Sequence, residues 1–322
     1  GLEEAFAKGH FHIYLQPKAE IASGRIRGAE ALIRYRDDQH GVVGPDKFIP
    51  QLERSGLIRH IDLFVLEEVC RTLRRWREQG VEPIPISLNL SRYTLMEKGI
   101  LARINGITSR YQVDRRLLKL EITESIGDVE RRILEEISRE IVGDGYCLSL
   151  DDFGAQYSNL SILSSLQLSE LKIDKSIIND LYSNQNTRIL VEHLIHICRQ
   201  LGIDSVAEGV EEREQLQILE DIGCTYAQGY LYNKPIPVPD FERKYLTLDK
   251  WGNLPDNGAT KSTGWEGSSV RQCMDSDNLH RRLKKIIGQV QAIDRMIDED
   301  IPCEDILAQI NAAKSALHKA GQ

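Results

Sequence analysis

The run Cys147-Leu148-Ser149-Leu150-Asp151-Asp152-Phe153-Gly154 ends an apolar segment in two adjacent carboxylates. In a regular strand, neighbouring side chains point to opposite faces, so Asp151 and Asp152 do not both enter a core. Like charges this close repel, and taking them out of water is costly, so the pair calls for a cation. A helix cap is the competing explanation, because Asp is preferred where a strand turns into a helix. The rest of the chain weighs against it. Other strand-like apolar runs end in Glu30, Asn89, Glu121, Lys172 with Asp174, Glu208 and Gln228. One polar strand end is ordinary; seven consecutive ones are hard to reach by chance. They hold six carboxylates (Glu30, Glu121, Asp151, Asp152, Asp174, Glu208) against one lysine, Lys172. At an effective dielectric of about 20, two like charges about 4 Å apart repel by roughly 4 kcal/mol. A rim that gathers these residues therefore needs metal. Oxygen ligands without His or Cys point to Mg²⁺ or Mn²⁺ rather than zinc.

The elements that must carry these residues follow one pattern. After a short helix at 2–9, strands are predicted at 11–17 and 26–35. The stretch between them is too short for a crossover helix, so these two strands are antiparallel. Helices are predicted at 45–58 and 61–78; the second carries a stripe of Ile61, Leu63, Phe64, Val65, Leu66, Val69, Leu73 and Trp76. Strands at 85–91, 117–123, 146–152, 171–175, 205–210 and 226–232 then alternate with helices near 92–110, 128–142, 157–168, 177–201 and 211–222. Alternating strands and helices imply a parallel sheet. Eight strands over roughly 245 residues predict an α/β fold, a (β/α)8 TIM-like barrel with an antiparallel first strand. An open doubly wound sheet is the alternative. In a barrel, every polar strand end above lies at the C-terminal face, where such folds place their active sites.

Composition bounds this further. The 322 residues are 41% hydrophobic and 28% charged, as in an ordinary globular protein. A net charge of −8 argues against a general nucleic-acid coat. The six cysteines are scattered without a CxxC pair, which fits reduced thiols in a cytoplasm. No apolar run is long enough to span a membrane, and no signal peptide precedes Phe11, so a cytoplasmic location is expected. The helical start at Gly1-Leu2-Glu3-Glu4 suggests a piece of something longer.

The strand-end motifs also occur in a recognisable order. They are Glu30-Ala31-Leu32, Asn89-Leu90-Ser91, Glu121-Ile122-Thr123-Glu124-Ser125, Asp151-Asp152-Phe153-Gly154, Lys172-Ile173-Asp174, Ala207-Glu208-Gly209-Val210-Glu211 and Gln228-Gly229-Tyr230. Over residues 2–245 the chain resembles the EAL-domain phosphodiesterases, which hydrolyse cyclic di-GMP. The resemblance implies a two-metal phosphodiesterase whose product is the linear dinucleotide pGpG. Glu30, Asn89, Glu121 and Asp151 would hold one metal; Asp151, Asp152 and Glu208 would share the second. Lys172 would orient the attacking water or neutralise charge in the transition state. Gln228 and Asp174 would complete the hydrogen-bonded shell. Leu32 and Arg34 would contact substrate, Arg34 through phosphate, and Gln16 matches a substrate-side position. Glu124 matches the glutamate that anchors the loop after the aspartate pair, a loop that couples the metal site to a dimer surface. A homodimer is therefore implied. A barrel that binds cyclic di-GMP without cleaving it is the alternative function, and the complete ligand set favours the enzyme.

Residues 246–278 read as a linker rich in Gly, Ser, Asp and Asn. In 279–322, Leu279, Leu283, Ile286, Val290, Ile293 and Ile297 step by four and three, and Pro302 opens a second helical run, which predicts a helical hairpin. This piece resembles a truncated member of the copper- and formaldehyde-sensing repressors, carried by His280-Arg281-Arg282-Leu283-Lys284-Lys285-Ile286 and Pro302-Cys303-Glu304-Asp305. Cys303 falls where that family keeps a metal-binding or reactive cysteine. The later His-x-x-x-Cys ligands have no counterpart before Gln322. Arg281, Arg282, Lys284 and Lys285 match the family's DNA-facing surface, but they equally describe a solvated helix face, and DNA binding is not expected of them.

The chain departs from the EAL pattern in the loop after Asp152. Where the family usually reads DFG-x-G-Y-S, it has Gln156 in Gly154-Ala155-Gln156-Tyr157-Ser158. A glycine that supplies positive φ is thereby lost. Gln156→Gly should raise turnover of cyclic di-GMP severalfold with little change in substrate affinity. Identical kinetics in the two proteins would show that the departure is harmless.

Overall fold

Alternation of apolar and polar residues along each strand becomes, once the sheet closes, a division between helix-facing and lumen-facing side chains. The computed structural model describes residues 2–37, 41–123, 128–155 and 160–246. The chain divides into two units, Gly1–Thr260 and Lys261–Gln322; the description below concerns the first. The linker, the hairpin and Cys303 expected in the tail lie outside the described residues, as do Glu124 and Gln156.

The barrel wall runs β1 (Phe11–Glu20), β2 (Ile26–Asp37), β4 (Ile86–Asn89), β5 (Leu118–Thr123), β6 (Cys147–Phe153), β7 (Glu170–Ile173), β8 (Asp204–Ala207) and β9 (Tyr226–Gln228). It closes because β1 pairs with both β2 and β9. Both pairings are antiparallel, while β2 and β4 through β9 are parallel in sequence. The eight-stranded barrel with its reversed first strand is thus as predicted. Two short strands were not: β3 (Gly41–Val43) pairs with the end of β2, and β10 (Ile236–Pro237) with β1.

Outside the wall, α3 (Ile58–Glu78) buries Ile61, Leu63, Val65, Leu66, Val69, Leu73 and Trp76, with Phe64 half-buried beside them. Trp76 is anchored by an indole N–H that donates to Glu242 Oε1 at 2.7 Å. Several predicted helices are broken. The stretch 45–58 is a 3-10 turn at Pro45–Lys47, then α2 (Ile49–Arg54), and Gly56 at φ 69° separates it from α3. The stretch 92–110 becomes α4 (Arg92–Leu95) and α5 (Ile100–Tyr111), because Gly99 takes the left-handed region at φ 81°. The stretch 177–201 becomes α8 (Lys175–Asn179) and α9 (Gln185–Leu201), since Asn184 caps α9 by accepting from the Asn186 and Thr187 amides. The last strand stops at Gln228 rather than running on to 232. A Cβ on Gly229 would fall 2.2 Å from the Val210 carbonyl oxygen, so only glycine lets the chain pass. Within 157–168 the described helix is α7 (Ile162–Ser165). Cys70, Cys147, Cys198 and Cys224 are unpaired. No helix among the described residues is long and apolar enough to cross a membrane.

The lumen is polar, and its lower layer carries charges that sequence reading passed over. Lys18 Nζ donates to Glu170 Oε1 at 2.6 Å and to Ser87 Oγ at 3.1 Å. Lys119 Nζ donates to Glu170 Oε2 at 2.5 Å, and Ser149 Oγ donates to Glu170 Oε1 at 3.2 Å. Burial alone would raise the Glu170 carboxyl, but Lys18 and Lys119 outweigh it and hold it at about 2. A carboxyl depressed in this way contributes stability in full above its ordinary 4.5, and that stability is lost as pH falls through about 2. The difference is worth on the order of 3 kcal/mol. Glu170→Gln leaves one buried and one part-buried ammonium group under-compensated and should lower stability by about 3–5 kcal/mol at neutral pH. Denaturant titrations at pH 7 and pH 3 should show the wild type losing about 2 kcal/mol more than the variant. Equal losses in both would overturn the assignment.

Candidate active site

The C-terminal ends of the strands deliver side chains to one rim. Glu30 comes from β2, Asn89 from β4, Glu121 from β5, Asp151 and Asp152 from β6, Lys172 from β7, Glu208 from just beyond β8 and Gln228 from β9. The β-ladder aligns them: Asn89 pairs with Glu121, and Thr123 with Asp151.

The aspartate pair solves its geometric problem by leaving the regular strand. Asp152 adopts φ 56°, a left-handed conformation that Asp tolerates better than most residues. Its amide donates to Asp151 Oδ1 at 2.9 Å, and the β6–β7 register slips between Leu150 and Phe153. Two residues that a flat strand would send to opposite faces therefore serve one site, with Asp151 buried and Asp152 exposed.

Two groups of carboxylates result. Glu30, Glu121 and Asp151 each offer an oxygen within 4.8 Å of the others, and so do Asp151, Asp152 and Glu208. Asp151 belongs to both. At their centre is Lys172, 0% exposed, with Nζ 2.8 Å from Glu121 Oε2, 2.9 Å from Asp151 Oδ1, 2.9 Å from Glu208 Oε1 and 3.3 Å from Glu30 Oε2. Glu30 is braced further: it accepts from Gln228 Nε2 at 2.5 Å and from Asn89 Nδ2 at 3.0 Å. Gln228 Nε2 also donates to Gln16 Oε1 at 3.2 Å, and Gln16 Nε2 donates to the Asn233 carbonyl at 3.2 Å.

One ammonium does not satisfy this set. Glu121 Oε1 and Gln228 Oε1 are buried with no hydrogen-bond partner. Burial, then the Glu30 charge, pushes the Glu121 carboxyl well above its ordinary value. Burial pushes Glu208 up to about 8. Burial, then Asp151, raises Asp152 as well. Burial would strip the Lys172 proton, but Asp151, Glu121, Glu208 and Glu30 together hold its pKa well above the usual lysine value. The arrangement is short of positive charge, and its unpartnered groups are oxygens. That is what a site for hard divalent cations requires.

The remaining predicted residues divide. Asp174 is buried, and its carboxylate caps α8, accepting from the Ser176 amide at 2.8 Å and from the Ser176 hydroxyl at 2.5 Å. The helix-cap explanation weighed for the aspartate pair thus applies to Asp174 instead. Leu32 lines a groove of about 440 Å³ beside the carboxylates, with Pro45, Asp62, Asn89, Ser91 and Arg92. The Arg34 guanidinium lies 5.7 Å from the centre of the Tyr14 ring and donates to the Ile33 carbonyl at 2.8 Å. It makes no ion pair with a carboxylate among the described residues. Sequence reading missed Asp62, which is buried in α3 and accepts from the Ser91 amide at 2.9 Å and the Thr94 hydroxyl at 2.6 Å. Burial pushes its carboxyl to about 6. The signal was present: an acid stands inside the apolar stripe between Ile61 and Leu63.

Comparison with known proteins gives the following. Residues 1–235 match the EAL domain family, and residues 275–322 match the metal-sensitive transcriptional repressor family. The chain is 36% identical over 241 residues to the bifunctional diguanylate cyclase/cyclic di-GMP phosphodiesterase MucR of Pseudomonas aeruginosa, covering 74% of this chain and 35% of that protein. It is 33% identical over 244 residues to the cyclic di-GMP phosphodiesterase NbdA of the same organism, covering 75% and 31%. The chain thus spans about a third of the length of these relatives. Among solved structures, the PaMucR phosphodiesterase in complex with c-di-GMP superposes with a TM-score of 0.70 at 34% identity, covering 74% of this chain and 97% of that one. An EAL domain protein from Listeria monocytogenes gives 0.67 at 27% identity, covering 76% and 96%.

Proposed function

The chain belongs to the EAL domain family over residues 1–235, and on that premise we propose that its barrel hydrolyses cyclic di-GMP to linear pGpG with two Mg²⁺ or Mn²⁺ ions. The observation that carries this reading is the pair of carboxylate groups sharing Asp151, together with the unpartnered buried oxygens of Glu121 and Gln228. The residues present fit such ions: the donors are oxygens, and their charge exceeds what Lys172 neutralises. Bound there, divalent ions would lower the pKa of water and offset negative charge on the phosphoryl oxygens.

In this reading Glu30, Asn89, Glu121 and Asp151 hold one ion, and Asp151, Asp152 and Glu208 the other. Asn89 turns its Nδ2 to Glu30, which leaves its amide oxygen as the ligand atom. Gln228, itself tied to Gln16, fixes the rotamer of Glu30. Lys172 remains protonated and supplies positive charge to the phosphoryl group as negative charge develops there. Arg34, free of carboxylate partners among the described residues, suits a phosphate, which its planar guanidinium can bind through two N–H groups. The groove lined by Leu32 and Asp62 adjoins Asn89 and has room for one half of a dinucleotide. Asp174 acts by holding α8 in place. Glu124 is proposed to anchor the loop after Asp152.

The proposed organisation is a barrel at 1–245, a linker at 246–278 and an association element at 279–322, the whole working as a homodimer in the cytoplasm. The apolar steps of Leu279, Leu283, Ile286, Val290, Ile293 and Ile297 support association, since such a stripe is unstable without a partner.

Incubation with cyclic di-GMP and Mg²⁺ or Mn²⁺, with products resolved by chromatography, tests the activity. Binding without cleavage would favour a signalling module instead. Glu30→Ala should abolish hydrolysis while the circular dichroism spectrum is retained, and unchanged turnover at saturating metal would sink the role of Glu30. Asp152→Asn should cost one of two binding events in a calorimetric metal titration; two intact events would contradict the shared second site. For the tail, the full chain should have a larger oligomeric mass in solution than a version ending at Lys250. Equal oligomeric states would remove the association role.

A further inference from the structure

The two groups of carboxylates are built differently. Glu30, Glu121 and Asp151 stand on β2, β5 and β6, inside the hydrogen-bonded wall. Asp152 stands in the left-handed register slip that ends β6, next to the turn at Gly154, and Glu208 stands on the turn that follows β8. Between those turns lies α8, the short helix that begins two residues after β7.

α8 bears on both turns through glycines. Gly154 follows Asp152 by two residues at φ 93°, and a Cβ there would lie 2.1 Å from Ile177 Cδ1. Gly209 follows Glu208 directly at φ 65°, and a Cβ there would lie 2.5 Å from Lys175 Cβ. Two residues of one helix thus press against the turn that adjoins Asp152 and the turn that carries Glu208. The backbone continues the contact. The Asp174 amide donates to the Phe153 carbonyl at 3.1 Å, and the Glu208 amide donates to the Ile173 carbonyl at 3.1 Å.

The far end of α8 is tied by Gln215, a residue of α10 (Arg213–Asp221) that is 5% exposed. Its Nε2 donates to the Ile178 carbonyl in α8 at 3.3 Å. Its Oε1 accepts from the amides of Glu211 at 2.9 Å and Glu212 at 3.0 Å, in the segment that follows Glu208. One buried amide therefore connects α8 to the segment bearing Glu208, with both of its ends satisfied.

We propose that α8 is a strut that sets the separation of Asp151 and Asp152 from Glu208, and that Gln215 is the positioning residue that locks it. Gln215 touches none of the carboxylates. It governs only the group formed by Asp151, Asp152 and Glu208, because Glu30, Glu121 and Asp151 are held by the wall. This inference rests on the reading of two divalent ions above.

The test is calorimetric titration of the full chain with Mn²⁺. Gln215→Leu should weaken one binding event about tenfold, the size typical of lost outer support at a metal site, and leave the other unchanged. Gln215→Glu keeps an oxygen acceptor for the Glu211 and Glu212 amides but loses the donor to the Ile178 carbonyl, the tie to α8, so it should weaken the same event to a similar extent, and full affinity in this variant would overturn the lock. Should Gln215→Leu fail to fold, Gln215→Asn carries the same prediction: its amide is one methylene too short to reach both partners. A residue with only a structural role would lower the melting temperature and affect both events alike, or neither, and either result overturns the strut. If the wild type itself takes up fewer than two ions, the two-ion reading fails and the strut falls with it. If the wild type takes up two and Gln215→Leu keeps both affinities, the strut alone is refuted.

Discussion

A single buried ammonium, that of Lys172, lies within 3.3 Å of oxygens from four carboxylates. The rest of the barrel depends on how that imbalance is contained. A lysine this deep would ordinarily lose its proton, and glutamates this deep would ordinarily keep theirs. Here each group's charge is the reason the other's is tolerated. The compensation is incomplete, which leaves Glu121 and Glu208 with raised pKa values and one Glu121 oxygen without a partner. Such a site is poised for additional positive charge, and the half of it formed by Glu30, Glu121 and Asp151 is shaped by strands rather than by loops.

The lumen below continues the same logic. Two residues along a strand are about 6.6 Å apart. On β7, Glu170 lies one such step below Lys172; on β5, Lys119 lies one step below Glu121. Charge alternates in sign along each of these two strands, in opposite order, with β6 between them. At that spacing and an effective dielectric of about 20, each vertical pair contributes roughly 2 kcal/mol of attraction. Barrels of this class usually fill the lumen with branched apolar side chains. A polar lumen of this kind holds together only if its buried charges meet opposite charges or hydrogen-bond partners. Lys18, Lys119 and Glu170, with Ser87 and Ser149, form such a layer beneath the carboxylates.

Where the wall ends, backbone strain and close approach take over. Asp152 reaches the site only through a left-handed conformation and a slipped register. Gly154 and Gly209 are open enough for α8 to seat against both turns, and Gly229 lets the chain pass the Val210 carbonyl. Each of these positions lies within two residues of a rim side chain. Irregularity is concentrated where two side chains of one strand, or two neighbouring loops, must converge on the same volume.

Much of this was legible in the amino-acid order. Alternation in Leu118-Lys119-Leu120-Glu121-Ile122 is enough to show one apolar and one polar face, and the repeat of strand and helix is enough to imply a barrel with Glu30, Asn89, Glu121, Asp151, Lys172, Glu208 and Gln228 on one rim. These features are local or periodic, so the sequence carries them without help. The breaks at Gly56 and Gly99 were harder to read, because a helical pattern on both sides of a glycine looks continuous until φ is known. The triad of Lys18, Lys119 and Glu170 and the double tie made by Gln215 were not readable at all. Lys18 and Glu170 lie 152 positions apart in the chain, and Gln215 and Ile178 lie 37 apart. Which partner satisfies a buried charge or amide is decided only when closure of the sheet brings distant strands and loops together, because desolvation makes that pairing obligatory in the folded state and irrelevant before it.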